Sequence, residues 1–180
     1  DAAGVRDAIS RDQGIPWVNT IVSDAKGNAY YTNSAQTPAL RQSSIEEWAA
    51  HPLGALNGSD SSNAWLAVPG ARSPGLIPFS QQPQTTRRDY VFNSNDSHWV
   101  PHQAQRLAGF SPLQGPEGTP LSVRTRQNLK LIQGREPGTV DSRGRFTVAG
   151  LGTAILSGSN YTADELAAAT VAACRARGSQ

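Results

Sequence analysis

The sequence predicts an α+β chain built from short helices and antiparallel strands. Three observations lead there. Apolar residues recur four apart in segments that carry helix caps, and two β-rich runs flank a turn glycine. In addition, 17 Gly and 12 Pro place much of the chain in turns, leaving little room for long helix. A length of 180 residues fits one domain or one large piece of a bigger one.

Taken in chain order, "GVRDAISRDQG" spaces Val5 and Ile9 four apart and closes on Gly14, which suits a short helix with one buried edge. "PWVNTIVSD", "AKG" and "NAYYTN" then read as a hairpin turning at Gly27, with Trp17, Tyr30 and Tyr31 supplying apolar area to its faces. In "SSIEEWAAHP", Ser44 and Glu47 have the spacing of a reciprocal cap, and Pro52 is a stop signal, so any helix here is short. From Pro52 to Arg88 the chain is rich in Gly, Pro, Ser and Gln without periodicity, as in stretches that are functional or pack around a larger body.

"RRDYVFNSN" alternates, placing Tyr90, Phe92 and Ser94 on one face of a strand and Val91, Asn93 and Asn95 on the other. That strand ends where the polar run Asn93 to Ser97 begins. "GTPLSVRTRQNLKLIQG" predicts a helix with Thr119 as its cap, Pro120 at its first position and Gly134 beyond its end, and with Leu121, Asn128, Leu129 and Ile132 along one side. Phe146 to Ala149 fit a short strand. In "YTADELAAATVAACRARG", Thr162 and Glu165 form a capping box, Leu166, Thr170, Val171 and Cys174 share a face, and Gly178 closes the helix.

Charge and composition narrow the function. The net charge of +2 is a small excess, and the basic runs at Arg87-Arg88 and Arg143 to Arg145 carry no interleaved aromatic platform, which argues against nucleic acid. Cys174 is the sole cysteine, so no intrachain disulfide forms and the redox compartment stays undecided. With no apolar run long enough for a membrane span or a signal peptide, and no methionine, the chain is expected to be a processed product or a cut segment of something longer.

Several constellations have plainer readings. His98 and His102 stand four apart, yet Pro101 lies between them and no acidic or cysteine ligands accompany them, so a surface or turn role is expected rather than zinc. His51 suits a helix end. Asp24 with Lys26 and Gly27 has the residues of a cation loop but also those of an ordinary tight turn. "GLGTAILSGS" lacks the strand-turn-helix setting of a phosphate loop. Cys174 is expected to be a small core residue rather than a nucleophile. The run Asn93 to Ser97 is either an Asn-rich turn or a set of donors aimed at something that reacts.

"YVFNSNDSHW", taken with "GIPWVNTIVSDAKGNAYY" before it and "EGTPLSVRTR" after it, resembles the middle of the large subunit of the penicillin acylase family of N-terminal nucleophile hydrolases. The likeness is greatest to the branch of aculeacin A and acyl-homoserine lactone acylases. It covers Gly14 to about Ile132, and "SNYTADELAAATVAAC" more weakly. The resemblance implies a four-layer αββα fold, of which residues 1–180 would be a single segment without an internal domain boundary.

It further implies amide hydrolysis by an N-terminal serine that is freed by autoproteolysis and uses its own α-amine as base. In such enzymes the second Asn of an Asn-x-Asn pattern helps to bind the oxyanion, and here that position is Asn95. An arginine further on organises the amine and that Asn. It falls at Arg124, with Arg126 as runner-up. The implied substrate joins an acyl chain to a polar amine, as in a homoserine lactone, a lipopeptide or a β-lactam nucleus, which would place the enzyme in antibiotic or quorum-signal metabolism.

The remaining large-subunit segments and the small subunit are the implied partners, and a secreted or periplasmic site is the implied location. No cofactor is implied; some relatives bind calcium, but none of the ligands matches a residue here. "SNAW", which often opens mature large subunits, occurs at Ser62 to Trp65, but it follows Ser61 where Gly is usual and stands only 33 residues before Asn95. The nucleophile is therefore expected outside this chain, and the fragment alone is expected to be inactive. The alternative class is an acylase-derived binding or structural module without chemistry.

Overall fold

In a computed structural model, residues 1–15, 17–51, 53–134 and 138–178 are described. Among them are five α-helices and a three-stranded antiparallel sheet, so the chain is α+β. It divides into two compact units, Asp1–Thr119 and Pro120–Gln180.

The first unit opens with α1 (Ala2–Asp12), one residue pair earlier than its apolar spacing alone requires, because Asp1 caps it by accepting from Gly4 N–H. Ile9 is buried, as its spacing predicts. Gln13, rather than Gly14, takes the left-handed cap with φ 38°. The hairpin follows the sequence closely: β1 (Asn19–Ser23) pairs with β2 (Ala29–Asn33), and Gly27 turns the chain at φ 79°.

Asp24 holds that turn. Its carboxylate accepts from the N–H groups of Ala2, Lys26 and Asn28 and from the Asn28 side-chain amide, all at 2.8 to 3.1 Å. The Asn28 amide foremost, with these backbone donors, keeps the acid well below the usual carboxylate range. Four donors on one carboxylate brace the turn.

Tyr30 and Tyr31 lie in the core at 1% and 0% exposure, whereas Trp17, expected on the same faces, is 78% exposed. The third strand, β3 (Gln84–Arg87), pairs with β2 in the register Tyr30↔Thr86 and Tyr31↔Thr85. It corrects the strand expected over residues 87–95. Beyond Arg87 the chain finds no strand to pair with, although Phe92 and Ser94 are buried and Asn95 is exposed, as alternation requires. Phe92 N–H is held by the Pro101 carbonyl at 2.9 Å.

The second helix, α2 (Gln42–Ala50), begins before Ser44, whose hydroxyl bonds to the Ser62 carbonyl at 3.1 Å instead of capping. His51 is its C-cap, as expected, and the expected stop at Pro52 lies outside the described residues.

In the second unit, α3 (Val123–Ile132) is capped by Ser122, not Thr119. The Ser122 hydroxyl accepts from Thr125 N–H at 3.2 Å, so the helix starts three residues later than predicted. Leu129 is buried, on the predicted side. Residues read as a strand near Phe146 form only an isolated bridge, Val140↔Phe146. The chain then enters α4 (Val148–Leu156), capped by Thr147. Gly150 of this helix packs so tightly on Thr139 that a Cβ would lie 2.0 Å from the Thr139 carbonyl oxygen.

The last helix, α5 (Tyr161–Arg177), is capped by Asn160 rather than Thr162 and closes on Gly178 as predicted. It is tied to α3 by Lys130 to Asp164 at 3.3 Å, and Ser159 joins Gln127 to Asp164. Its expected apolar face is not buried, and Cys174 is exposed rather than in a core. Among the described residues no helix is long and apolar enough to cross a membrane.

Candidate active site

Asn95 sits at the tip of a turn with left-handed backbone, φ 69°, and is exposed. Among the described residues only Gln13 shares positive φ without being glycine, and Asn tolerates that conformation better than most side chains. The turn is braced by Asn93, whose Oδ1 accepts from Asn95 N–H at 2.7 Å while its Nδ2 donates to the Asp96 carbonyl at 3.1 Å. Both bonds fix the backbone beneath Asn95, so its carboxamide starts from a defined position. A strained residue on a surface turn is a reason to look for function.

Two histidines that follow this turn are buried, so of the surface or turn role expected for them the surface part is corrected. His102, 4% exposed, donates from Nε2 to Asp89 at 3.1 Å, and its Nδ1 accepts from Ala104 and Gln105 N–H. Burial foremost, and the nearby Arg87 charge, push its pKa down. Asp89 is also gripped by Arg87 in a two-pronged contact at 2.6 and 2.8 Å.

His98 is 0% exposed; its Nδ1 lies 3.2 Å from the Gln114 carbonyl and its Nε2 2.8 Å from Glu117 Oε1. Glu117 also accepts from Gly109 and Phe110 N–H at 2.9 and 3.0 Å. Each imidazole thus has its own carboxylate. Among the described residues no group of three or more His, Cys, Asp or Glu gathers that could hold a metal.

Burial alone would raise the pKa of Glu117, but the hydrogen bonds from His98, Gly109 and Phe110 outweigh it and lower it. Because the folded value lies below the unfolded one, this contact stabilises the fold above the ordinary carboxylate range and is lost as pH falls through the depressed value. Between about pH 5 and pH 3, the thermal midpoint of the full-length protein is expected to fall more steeply than that of a Glu117→Gln variant, as calorimetry can read. Equal slopes would contradict the assignment.

Arg124 lies in the first turn of α3 and is exposed, lining a pocket with Val123, Asn128, Asn160 and Tyr161. Arg126 has structural work: its Nε donates to the Leu121 carbonyl at 3.1 Å and its guanidinium stands 6.0 Å from the Tyr161 ring centre. Asn95 belongs to the first unit and Arg124 to the second.

Ser62 lies in a short 3-10 turn, its peptide N–H and hydroxyl both donating to Asp60 at 2.8 and 2.7 Å. A serine in mid-chain has no α-amine, and this hydroxyl already has a carboxylate partner. Ser62→Ala in the full-length protein is therefore expected to leave acyl-amide turnover within about twofold, as surface substitutions away from special features cost little. Loss of turnover would point to Ser62 as nucleophile.

The sequence missed the Glu117 partner of His98. Glu117 lies in a Gly- and Pro-rich stretch without periodicity, where an acid reads as solvated, and only the folded loop brings it back to the histidine.

The penicillin amidase family model matches residues 1–179, and the chain belongs to that family. Among its relatives, an acyl-homoserine lactone acylase (PvdQ) of Pseudomonas fluorescens is 40% identical over 69% of this chain and 16% of its own length. The acyl-homoserine lactone acylase of Pseudomonas syringae pv. tomato is 34% identical over 89% of this chain and 21% of its own. An aculeacin-A acylase of Actinoplanes utahensis is 37% identical over 97% of this chain and 24% of its own. The chain thus spans about a fifth of the length of the curated relatives it matches.

Proposed function

We propose that this chain is a segment of the large subunit of an amidohydrolase that cleaves the amide between an acyl chain and a polar amine. The observation that carries the reading is Asn95, a neutral amide at the exposed tip of a braced turn in a chain of the penicillin amidase family. Relatives named for acyl-homoserine lactones and for aculeacin A support substrates of those kinds, with β-lactam amides as a third.

In the proposed reaction, the hydroxyl of an N-terminal serine outside this chain attacks the amide carbonyl. Its α-amine, a group that titrates near neutrality, takes the hydroxyl proton. Charge then develops on the carbonyl oxygen. Asn95 donates from its amide to that oxygen without carrying charge itself, so it favours the anion over the neutral substrate. Arg124 serves to orient that amine. The amine returns its proton to the departing nitrogen, the C–N bond breaks, and water hydrolyses the resulting ester by the same route. These steps need no cofactor.

The same reading makes the 180 residues one segment of a four-layer αββα fold, assembled with other large-subunit segments and a small subunit after autoproteolysis outside the cytoplasm. Apolar side chains left in solvent along α4 support such partners: Val148 at 90%, Ile155 at 80% and Leu156 at 86% exposure lie on one short helix, unlike a scatter of single residues. The test is turnover. The full-length precursor should release free amine from an acyl-homoserine lactone, and the 180 residues alone should release none. Hydrolysis by the isolated segment would overturn the assignment of the nucleophile to another part of the protein.

A further inference from the structure

The turn that presents Asn95 is anchored from its far side. Ser97 and His98 follow the tip and are fixed to the segment 109–117 at three points. The Ser97 hydroxyl donates to the Pro116 carbonyl. Gly115, at φ 115°, comes so close that a Cβ there would lie 2.7 Å from Ser97 Cβ. His98, wholly buried, meets the Gln114 carbonyl and the Glu117 carboxylate with its two ring nitrogens, and the Phe110 ring stands edge-on at 5.3 Å between centres. Glu117 in turn collects the Gly109 and Phe110 N–H groups, so one carboxylate closes the loop around the ring.

This is a large polar investment for a loop of no regular structure, and it lies three residues from Asn95. Buried, multiply bonded side chains define a single geometry better than apolar packing does, because each alternative arrangement leaves a polar group unpaired. Asn95 itself lies exposed in a left-handed conformation that its own residue type favours only weakly.

We infer that His98, locked by Glu117, is a positioning residue that sets the orientation of the Asn95 carboxamide. The inference rests on the proposed role of Asn95 as oxyanion donor. It assigns His98 no contact with substrate. Its effect reaches the reaction only through Asn95.

The test is a double-mutant cycle in the full-length mature enzyme, with kcat and KM measured on an acyl-homoserine lactone for wild type, His98→Phe, Asn95→Ala and the pair. Phe keeps an aromatic ring against Phe110, is somewhat larger than imidazole, and removes both nitrogens. His98→Phe is expected to lower kcat about tenfold or more with KM within about twofold, since a shift of about 1 Å can cost about 100-fold. In the Asn95→Ala background it should change kcat by less than about twofold, because the group it positions is gone.

Two losses that multiply, or a His98→Phe enzyme with normal kcat, would overturn the inference while leaving the role of Asn95 intact. An Asn95→Ala enzyme with normal kcat would instead overturn the underlying reading, and the positioning role with it. If His98→Phe fails to mature, Glu117→Gln carries the same cycle with the same two outcomes. It keeps the shape of the side chain and replaces one acceptor by a donor facing a donor.

Discussion

Asn95→Ala in the full-length enzyme is expected to lower kcat by about 100- to 1000-fold, the cost of removing one oxyanion donor, with KM nearly unchanged. The fold should survive it. Asn95 is exposed, and its turn is braced by its own N–H and by both polar ends of the Asn93 side chain. Alanine tolerates φ 69° less well than asparagine, so a loss of about 1 kcal/mol of stability is expected from the backbone alone. Asn95→Asp should be as damaging to turnover as Asn95→Ala, because a carboxylate places negative charge where negative charge must develop. A normal rate in either variant would refute the assignment.

The second large effect concerns Arg124. A cation in the first turn of a helix opposes the helix dipole, at a cost of about 0.3 to 1 kcal/mol, which is the setting of Arg124 in α3. Arg124→Ala is expected to lower kcat/KM by about 10- to 100-fold through loss of an oriented charge. Arg124→Lys should recover little, since a point charge lacks the planar fork that holds two partners at once. Arg126→Ala should do the reverse. Its bond to Leu121 and its stacking near Tyr161 serve the second unit, so its removal is expected to cost up to about 1 kcal/mol of stability and leave kcat alone. Kinetics and thermal unfolding of the three variants separate the two arginines.

The legible parts of this fold are those fixed by neighbours in sequence. The hairpin at Gly27 was readable because Asp24 and Gly27 carry its turn within four residues, and Gly178 as the end of α5 for the same reason. Caps were readable in kind but not in position. Ser122 stands near Thr119 and Asn160 near Thr162, and periodicity does not say which capping side chain wins.

Strand β3 was missed because Gln84-Thr85-Thr86-Arg87 has no apolar pattern; pairing with Tyr30 and Tyr31, more than fifty residues back, makes it a strand. The segment after it alternates in burial but has no neighbouring strand, so it does not become one. Helix α4 carried no helical reading in the sequence, which offered only a short strand at Phe146 to Ala149; Gly150 lets the helix approach Thr139 closely.

The candidate site divides in the same way. Asn93 to Ser97 read as a turn from composition alone, and the structure gives that turn its Asn93 bonds. Nothing in the spacing of the chain singles out Asn95 or Arg124; only family resemblance did. The carboxylates behind His98 and His102 depend on loop closure and were invisible to either approach.

The central claim is that Asn95 binds the oxygen as it becomes anionic, and inhibition by an alkyl boronic acid tests it most directly. Serine addition gives a tetrahedral boronate anion whose oxygen occupies the site of the developing charge. If Asn95 donates there, Asn95→Ala raises the inhibition constant by about the factor by which it lowers kcat/KM, while KM hardly moves. An unchanged inhibition constant beside a collapsed kcat would contradict the claim.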